Sequence, residues 1–174
     1  MERRRPPTYT PPPMSGQPAI PSPGLSAAGL RVAVIVARYN ARVTDRLRDG
    51  AAEAFRALGG NDADLEIIAA PGSFELATLA GGAAKSGRFD ALVALGCLIK
   101  GETSHDRVIA DAVASTLAMI SAQTPIAVGF GLLTVDNQEQ AEARAGGALG
   151  NKGAEAMQAA IATAAALRDL RRKA

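Results

Sequence analysis

His105 is the only histidine of the chain and Cys97 the only cysteine. A neutral imidazole takes or gives a proton near neutral pH, so His105 is the natural candidate for acid–base work. It follows Lys100-Gly101-Glu102-Thr103-Ser104, where a glycine and two hydroxyl residues lead into a helix. Backbone N–H groups at a helix start, together with the Thr103 and Ser104 hydroxyls, can hold a phosphate. The positive end of that helix disfavours imidazolium and so favours a neutral ring. The alternative is an ordinary surface histidine beside a Thr/Ser cap. Arg144 and Lys152 offer a planar fork and a point charge for an anion, or are two solvated surface cations. The glycines between them, Gly146-Gly147 and Gly150, predict a kinked junction that brings the two close.

Two further segments carry ligand-type residues. Pro71-Gly72-Ser73-Phe74-Glu75-Leu76 places a tight turn before a helix start. Glu75 in that first turn suits the helix dipole, or accepts bonds from the hydroxyls of a polyol. Tyr39, in Arg38-Tyr39-Asn40, either stacks on a flat ring or closes the core as a half-buried lid.

These segments need elements to position them. Leu30–Ala37, Leu65–Ala70, Ala91–Ile99 and Ile126–Leu133 are short apolar runs without polar alternation, as strands buried on both faces should be. Helices alternate with them. Thr44 is placed as the cap of the first, which runs to Leu58 and stops at Gly59-Gly60. Ser73 opens the second, ended by Gly87, and the third runs from about Ser104 to Ser121. Asp136-Asn137-Gln138-Glu139 reads as a capping box with Asp136 in the capping slot, for a helix reaching Gly146-Gly147. An Ala-rich helix from about Lys152 to Arg172 comes last. The alternation predicts an α/β chain with a parallel sheet between helix layers and right-handed crossovers. In such sheets ligands bind beyond the carboxyl ends of the strands. Every segment singled out above lies there.

Composition bounds the reading. The chain has 174 residues, 48% apolar and 21% charged, which suits one globular domain. No apolar run approaches the roughly 18 residues of a membrane helix, so no membrane association is expected. A single cysteine excludes an internal disulfide and fits a reducing, cytoplasmic compartment. One histidine with one cysteine argues against a zinc site. Aromatics are 3% and tryptophan is absent, against a base-stacking nucleic-acid binder. Of the net charge of +2, residues 1–24 carry +2 and residues 168–174 carry +3, which leaves −3 on 25–167. The folded body is therefore not basic, and no nucleic-acid partner is expected. Eight of the ten prolines fall between Pro6 and Pro23. Residues 1–29 are accordingly expected to be a disordered, Pro-rich arm, and 30–174 the domain.

Taken in order, the motifs resemble the lumazine synthase family over roughly residues 31–165. The residues that carry the resemblance are Tyr39-Asn40, Pro71-Gly72-Ser73-Phe74-Glu75-Leu76, Gly96-Cys97-Leu98-Ile99-Lys100-Gly101-Glu102-Thr103-Ser104-His105, Phe130-Gly131-Leu132-Leu133-Thr134, Gln140-Ala141 with Arg144-Ala145-Gly146, and Asn151-Lys152-Gly153 with Glu155. The resemblance implies a flavodoxin-like three-layer αβα sandwich on a four-stranded parallel sheet. It implies condensation of 5-amino-6-(D-ribitylamino)uracil with 3,4-dihydroxy-2-butanone 4-phosphate to 6,7-dimethyl-8-ribityllumazine, without cofactor or metal. By position, Tyr39 and Asn40 would meet the pyrimidine, with Tyr39 stacked on it. Ser73, Phe74 and Glu75 would hold the ribityl chain and part of the ring. Cys97, Leu98 and Ile99 would bind the ring edge, largely through backbone groups. Phe130 would pack on the ring and Lys152 and Glu155 would complete a polar wall. Glu102, Thr103 and Arg144 would hold the phosphate, and His105 would move protons.

The resemblance also implies a homo-oligomer, with active sites between neighbouring subunits of a pentamer. The short turn from Arg144 to Lys152 is similar to that of members stacking twelve pentamers into a 60-subunit icosahedral shell, and an association with riboflavin synthase belongs to the same picture. The chain departs from the family's usual residues at Tyr39, where Phe or Trp is usual, at Ala77, where Pro is usual, and at Asp106-Arg107, where an aromatic and an acid usually follow the histidine. The last departure is what favours a second reading, a non-catalytic lumazine- or flavin-binding scaffold. A third is an unrelated phosphate-binding doubly wound domain.

Overall fold

The computed structural model describes residues 24–172; most of the expected arm lies outside the described residues. The four apolar runs form β1 (Val32–Ala37), β2 (Leu65–Ala70), β3 (Ala91–Ile99) and β4 (Ala127–Val135). They make one parallel sheet in the order β2-β1-β3-β4. The helices are α1 (Ala41–Ala57), α2 (Glu75–Lys85), α3 (His105–Gln123), α4 (Gln138–Arg144) and α5 (Lys152–Arg172).

Each strand feeds both faces of the sheet because successive side chains alternate. Val32, Val34 and Val36 join Val43, Leu47 and Phe55 of α1 and Met157 and Ile161 of α5 in one core layer. Ala33, Ile35 and Ala37 join Leu76 and Ala80 of α2 and Val113 and Leu117 of α3 in the other. The result is the three-layer αβα sandwich, with α1 and α5 on one face and α2 and α3 on the other. Leu25 and Ala27, within the stretch assigned to the arm, pack on the first layer, and the Ala27 N–H donates to the Leu58 carbonyl at 2.8 Å.

Several local expectations are corrected. Thr44 does not cap α1. It lies inside the helix, buried, and Asn40 stands at the start. Thr44 precedes an apolar face, but so do Ala41 and Val43, and the strand's end three residues earlier leaves room for one more turn. Ser73 does not open α2, which begins at Glu75 after Phe74. Asp136 is not in the capping slot. Asn137 is, its Oδ1 accepting from the Gln140 N–H at 2.9 Å, while Gln140 Oε1 accepts from the Asp136 N–H at 3.1 Å. Asn137-Gln140 satisfies the same spacing as Asp136-Glu139, one residue on, and Val135 must finish β4 first. Nor does that helix reach Gly146-Gly147. It ends at Arg144, and the glycines form an antiparallel hairpin, β5 (Ala145–Gly147) with β6 (Gly150–Asn151). A 3₁₀ turn at Asp62–Asp64, capped by Asn61, was not foreseen.

Where α5 crosses α1 the two backbones touch. A Cβ on Gly153 would fall on the Leu47 carbonyl oxygen. The Asn151 side chain fastens the same crossing. Its Nδ2 donates to the Arg46 carbonyl at 2.8 Å, and its Oδ1 accepts from the Gly153 and Ala154 N–H groups, capping α5. Gly153→Ala must therefore push two helices apart and should cost about 3 kcal/mol or more. By contrast, a Cβ on Gly82, inside α2, meets nothing within 4 Å. Gly82→Ala should stabilise by about 0.5–1 kcal/mol. Denaturant unfolding of the two variants checks both signs.

Candidate active site

The carboxyl edge of the sheet is uneven. The last β1–β3 pair is Val36 with Leu95, yet β3 continues to Ile99. Gly96 to Ile99 therefore extend beyond β1, paired on one side only, with Leu132 to Val135 of β4. Asn40 partly covers the open side. Its Nδ2 donates to the Cys97 carbonyl at 2.8 Å. Residues of a parallel strand send N–H and C=O to alternate sides. The Lys100 N–H bonds the Val135 carbonyl on the β4 side. Ile99, one residue back, thus presents its N–H and C=O to the open bay.

Asn40 reaches Cys97 from an uncommon backbone state, φ 59 and ψ 44, the one positive φ among the described non-glycine residues. Asparagine tolerates this left-handed region better than other side chains do. Such strain persists where the surroundings hold it, and it clusters at functional sites. Tyr39, just before it, is 74% exposed, and across the edge Phe74 is 55% exposed. Two ring faces thus stand in solvent at the strand ends, where a core tyrosine lid would have been covered.

The helices at this edge split into two kinds. Asn137 caps α4 and Asn151 caps α5. No side chain caps α1, α2 or α3. These three helices follow β1, β2 and β3. Backbone carbonyls already take the Val43 N–H of α1 and the Leu76 and Ala77 N–H groups of α2, and the remaining first-turn N–H groups have no side-chain acceptor. Glu75 begins α2 and His105 begins α3. A cleft of about 480 Å³ opens beside the start of α3, lined by Gly101, Thr103, Ser104 and Arg107 and by Thr134 and Asp136 at the end of β4. His105 is exposed but is not in its wall. Two residues along a helix turn about 200°, so His105 and Arg107 face opposite ways.

The hairpin places the remaining cations. It pairs Ala145 with Asn151, so Arg144 and Lys152 flank its base, as the glycine spacing predicted. Arg144 Nη1 donates to the Gln140 carbonyl at 3.0 Å, and Lys152 Nζ meets Glu155 at 2.7 Å. Phe130 is 52% exposed on β4, opposite Ala94 in the middle of β3. It lies three to five residues before the level of Cys97–Ile99, or roughly 10–16 Å along the strands. One chain does not bring it to the Tyr39 bay.

Two buried groups complete the floor. The Ser73 hydroxyl is buried without a hydrogen-bond partner and lies 3.0 Å from where a Cβ on Gly96 would stand. It points at the sheet, not into the bay, so its backbone is the part of Ser73 left for a ligand. Burial pushes the Cys97 thiol up to about 11 and keeps it protonated and unreactive. No cluster of three or more metal-ligating side chains occurs among the described residues, and no helix there is long and apolar enough to cross a membrane.

Fold and edge together make a doubly wound α/β protein in which helix starts without side-chain caps and two exposed aromatic rings share the carboxyl edge of the sheet. The family model for 6,7-dimethyl-8-ribityllumazine synthase matches residues 29–168. The 6,7-dimethyl-8-ribityllumazine synthase of Anaeromyxobacter sp. (strain Fw109-5) is 46% identical over 145 residues, 83% of this chain and 89% of the relative. That of Thermus thermophilus is 47% identical over 140 residues, 80% and 89% of the two chains. That of Chlorobium chlorochromatii (strain CaD3) is 44% identical over 137 residues, 79% and 88%. The chain belongs to the lumazine synthase family.

Sequence reasoning named Asn40 as a ligand residue but missed its bond to Cys97. An asparagine between a strand end and a helix start was the available signal, since that residue type visits the left-handed region. It also missed Asn151 as the cap of α5, although Asn directly before a helix start is a standard cap.

Asn40→Gly keeps the backbone free to adopt its conformation and loses only the bond to Cys97, at about 1 kcal/mol. Asn40→Ala loses the bond and adds the left-handed cost, about 1 kcal/mol more. Unfolding free energies that rank alanine at or above glycine would refute this account. The Cys97 pKa lies above its ordinary value of 9.0. The unfolded chain thus releases its proton first, so this contribution to stability is full below about pH 9 and fades as pH rises towards 11. Cys97→Ala should lose less stability across that window than the parent, read by denaturant unfolding at its two ends.

Proposed function

We propose that the chain condenses 5-amino-6-(D-ribitylamino)uracil with 3,4-dihydroxy-2-butanone 4-phosphate, forming 6,7-dimethyl-8-ribityllumazine and releasing phosphate and water, the penultimate step of riboflavin biosynthesis. The family match over residues 29–168 carries this reading. The aryl amine attacks the ketone and water leaves as an imine forms; phosphate is eliminated; the ribityl-bearing amine then closes the ring on the remaining carbonyl with loss of a second water. Tyr39 stacks on the pyrimidine. The N–H and C=O of Ile99, on the side of β3 that β1 leaves open, meet the ring edge, with the Cys97 carbonyl held beside them by Asn40. Glu75 and the start of α2, at Ser73 and Phe74, take the ribityl hydroxyls. The uncapped start of α3, with Glu102 and Thr103, faces the phosphate, which Arg144 grips. His105 moves protons between the steps. Lys152 and Glu155 form the polar wall as a pair.

Two reactants held face to face gain on the order of 7–11 kcal/mol from proximity at best. Proton transfer by one imidazole adds roughly 10²–10⁴-fold. The chain assembles as a pentamer, of which a 60-subunit shell is the larger form. The distance of Phe130 from the Tyr39 bay supports this, because a neighbour's Phe130, Arg144 and Lys152 then complete the site.

Absorbance-monitored turnover with both substrates tests the reading. His105→Ala should slow formation of the lumazine about 10²–10⁴-fold without abolishing it. Arg144→Ala should raise KM for the butanone phosphate and leave pyrimidine binding in place. A folded, oligomeric parent protein that binds the pyrimidine but makes no product would instead support the scaffold reading.

A further inference from the structure

Most carboxylates around the hairpin are already held by a cation. Asp45 and Asp49 are both taken by Arg48, at 2.8 Å each. Glu142 lies 3.9 Å from Arg42 and also accepts from the Gln138 amide. Glu155 is held by Lys152. Each of these carboxylates has a cation, and two guanidiniums, Arg46 and Arg144, have no carboxylate within 4.0 Å among the described residues.

These two belong to different elements but meet the same short turn. Arg144 ends α4 directly before β5. Arg46 comes from α1, and its Nη2 lies 3.6 Å from where a Cβ on Gly146 would stand. Gly146 has φ +90 and no side chain, so the guanidinium lies against bare backbone two residues from Arg144. The Asn151 amide, bonded to the Arg46 carbonyl at 2.8 Å, holds that turn of α1 against the hairpin. Arg46 itself is exposed. The Arg144 guanidinium donates to the Gln140 carbonyl and to no carboxylate, and an arginine without a carboxylate is free to take an anion. Two guanidinium forks match the double charge and several oxygens of a phosphate.

We propose that Arg46 is a second phosphate-recognising arginine, acting beside Arg144 on the phosphorylated four-carbon substrate. This rests on the lumazine synthase reading above. Arg46 touches the phosphate alone and takes no part in proton transfer. Its contribution, at an exposed position, weakens as salt screens it.

The probe is inorganic phosphate, as an inhibitor of turnover and as a ligand in calorimetry with the assembled protein. Arg46→Gln should weaken phosphate binding and raise KM for the butanone phosphate roughly tenfold, with kcat and KM for the pyrimidine unchanged. Arg46→Lys should recover part of the loss, and the loss should shrink at high salt. Arg168→Gln, an equal charge change near the other end of α5, is the control and should change neither constant. Phosphate competitive with the butanone phosphate places the anion in the substrate's subsite and supports the proposal; phosphate bound through Arg46 without competition overturns the role of Arg46 toward that substrate. Unchanged phosphate affinity in Arg46→Gln, in a protein that still turns over, overturns the proposal. Absence of turnover in the parent protein overturns the synthase reading instead, and calorimetry still decides the role of Arg46.

Discussion

A parallel sheet buried on both faces must stop somewhere, and at its stopping edge the backbone runs out of partners. Here β3 and β4 outrun β1, which leaves one side of Gly96 to Ile99 without a strand. The bond from Asn40 to the Cys97 carbonyl closes part of that gap and leaves the rest as a bay. Its geometry requires a left-handed asparagine directly after Tyr39. One hydrogen bond thus ends β1, starts α1, exposes the tyrosine ring and limits which backbone groups face the bay. A longer β1 would have paired these groups and left nothing for a ligand to satisfy.

The same economy governs the helix ends. A helix start leaves N–H groups that need an acceptor. Asparagine supplies it at α4 and α5, whose work is to hold the hairpin and the α1 crossing. At α1, α2 and α3 no side chain supplies it. These three follow β1, β2 and β3 and start at one edge, so their positive ends add. In the proposed reaction, anionic and hydroxyl-rich ligands take the N–H groups the chain leaves unmet. The buried Ser73 hydroxyl, without a partner, shows that this edge carries local costs the well-packed layers beneath can bear.

Positioning of the cations depends on close packing far from any chemistry. Gly153 lets α5 rest on the backbone of α1, and Asn151 locks the crossing. The hairpin that starts there carries Arg144 and Lys152 at its base and receives Arg46 from the side. A disturbance of the α1–α5 contact would therefore reach the proposed phosphate subsite through the backbone. Phe130 stands apart on β4, too far along the sheet to share a bay with Tyr39 of its own chain.

The layers and the address of the site are written in local runs of residues. Uninterrupted runs such as Val32–Ala37 and Ala91–Ile99 bury on both faces only in a parallel sheet covered by helices, and the motif segments all fall at the carboxyl ends. These are local signals, carried by neighbours along the chain. Boundaries resisted, because Thr44, Ser73 and Asp136 each had the right chemistry and the right spacing, and the competition was decided by where the preceding strand or turn stopped. Pairings between residues far apart in sequence were settled by packing instead. These include Asn40 with Cys97, Asn151 with Arg46, the return of Gly146-Gly147 as a strand, and the two guanidiniums left without carboxylates. Each depends on the register of one element against another, which is set by packing the whole core and leaves no periodic trace in the chain.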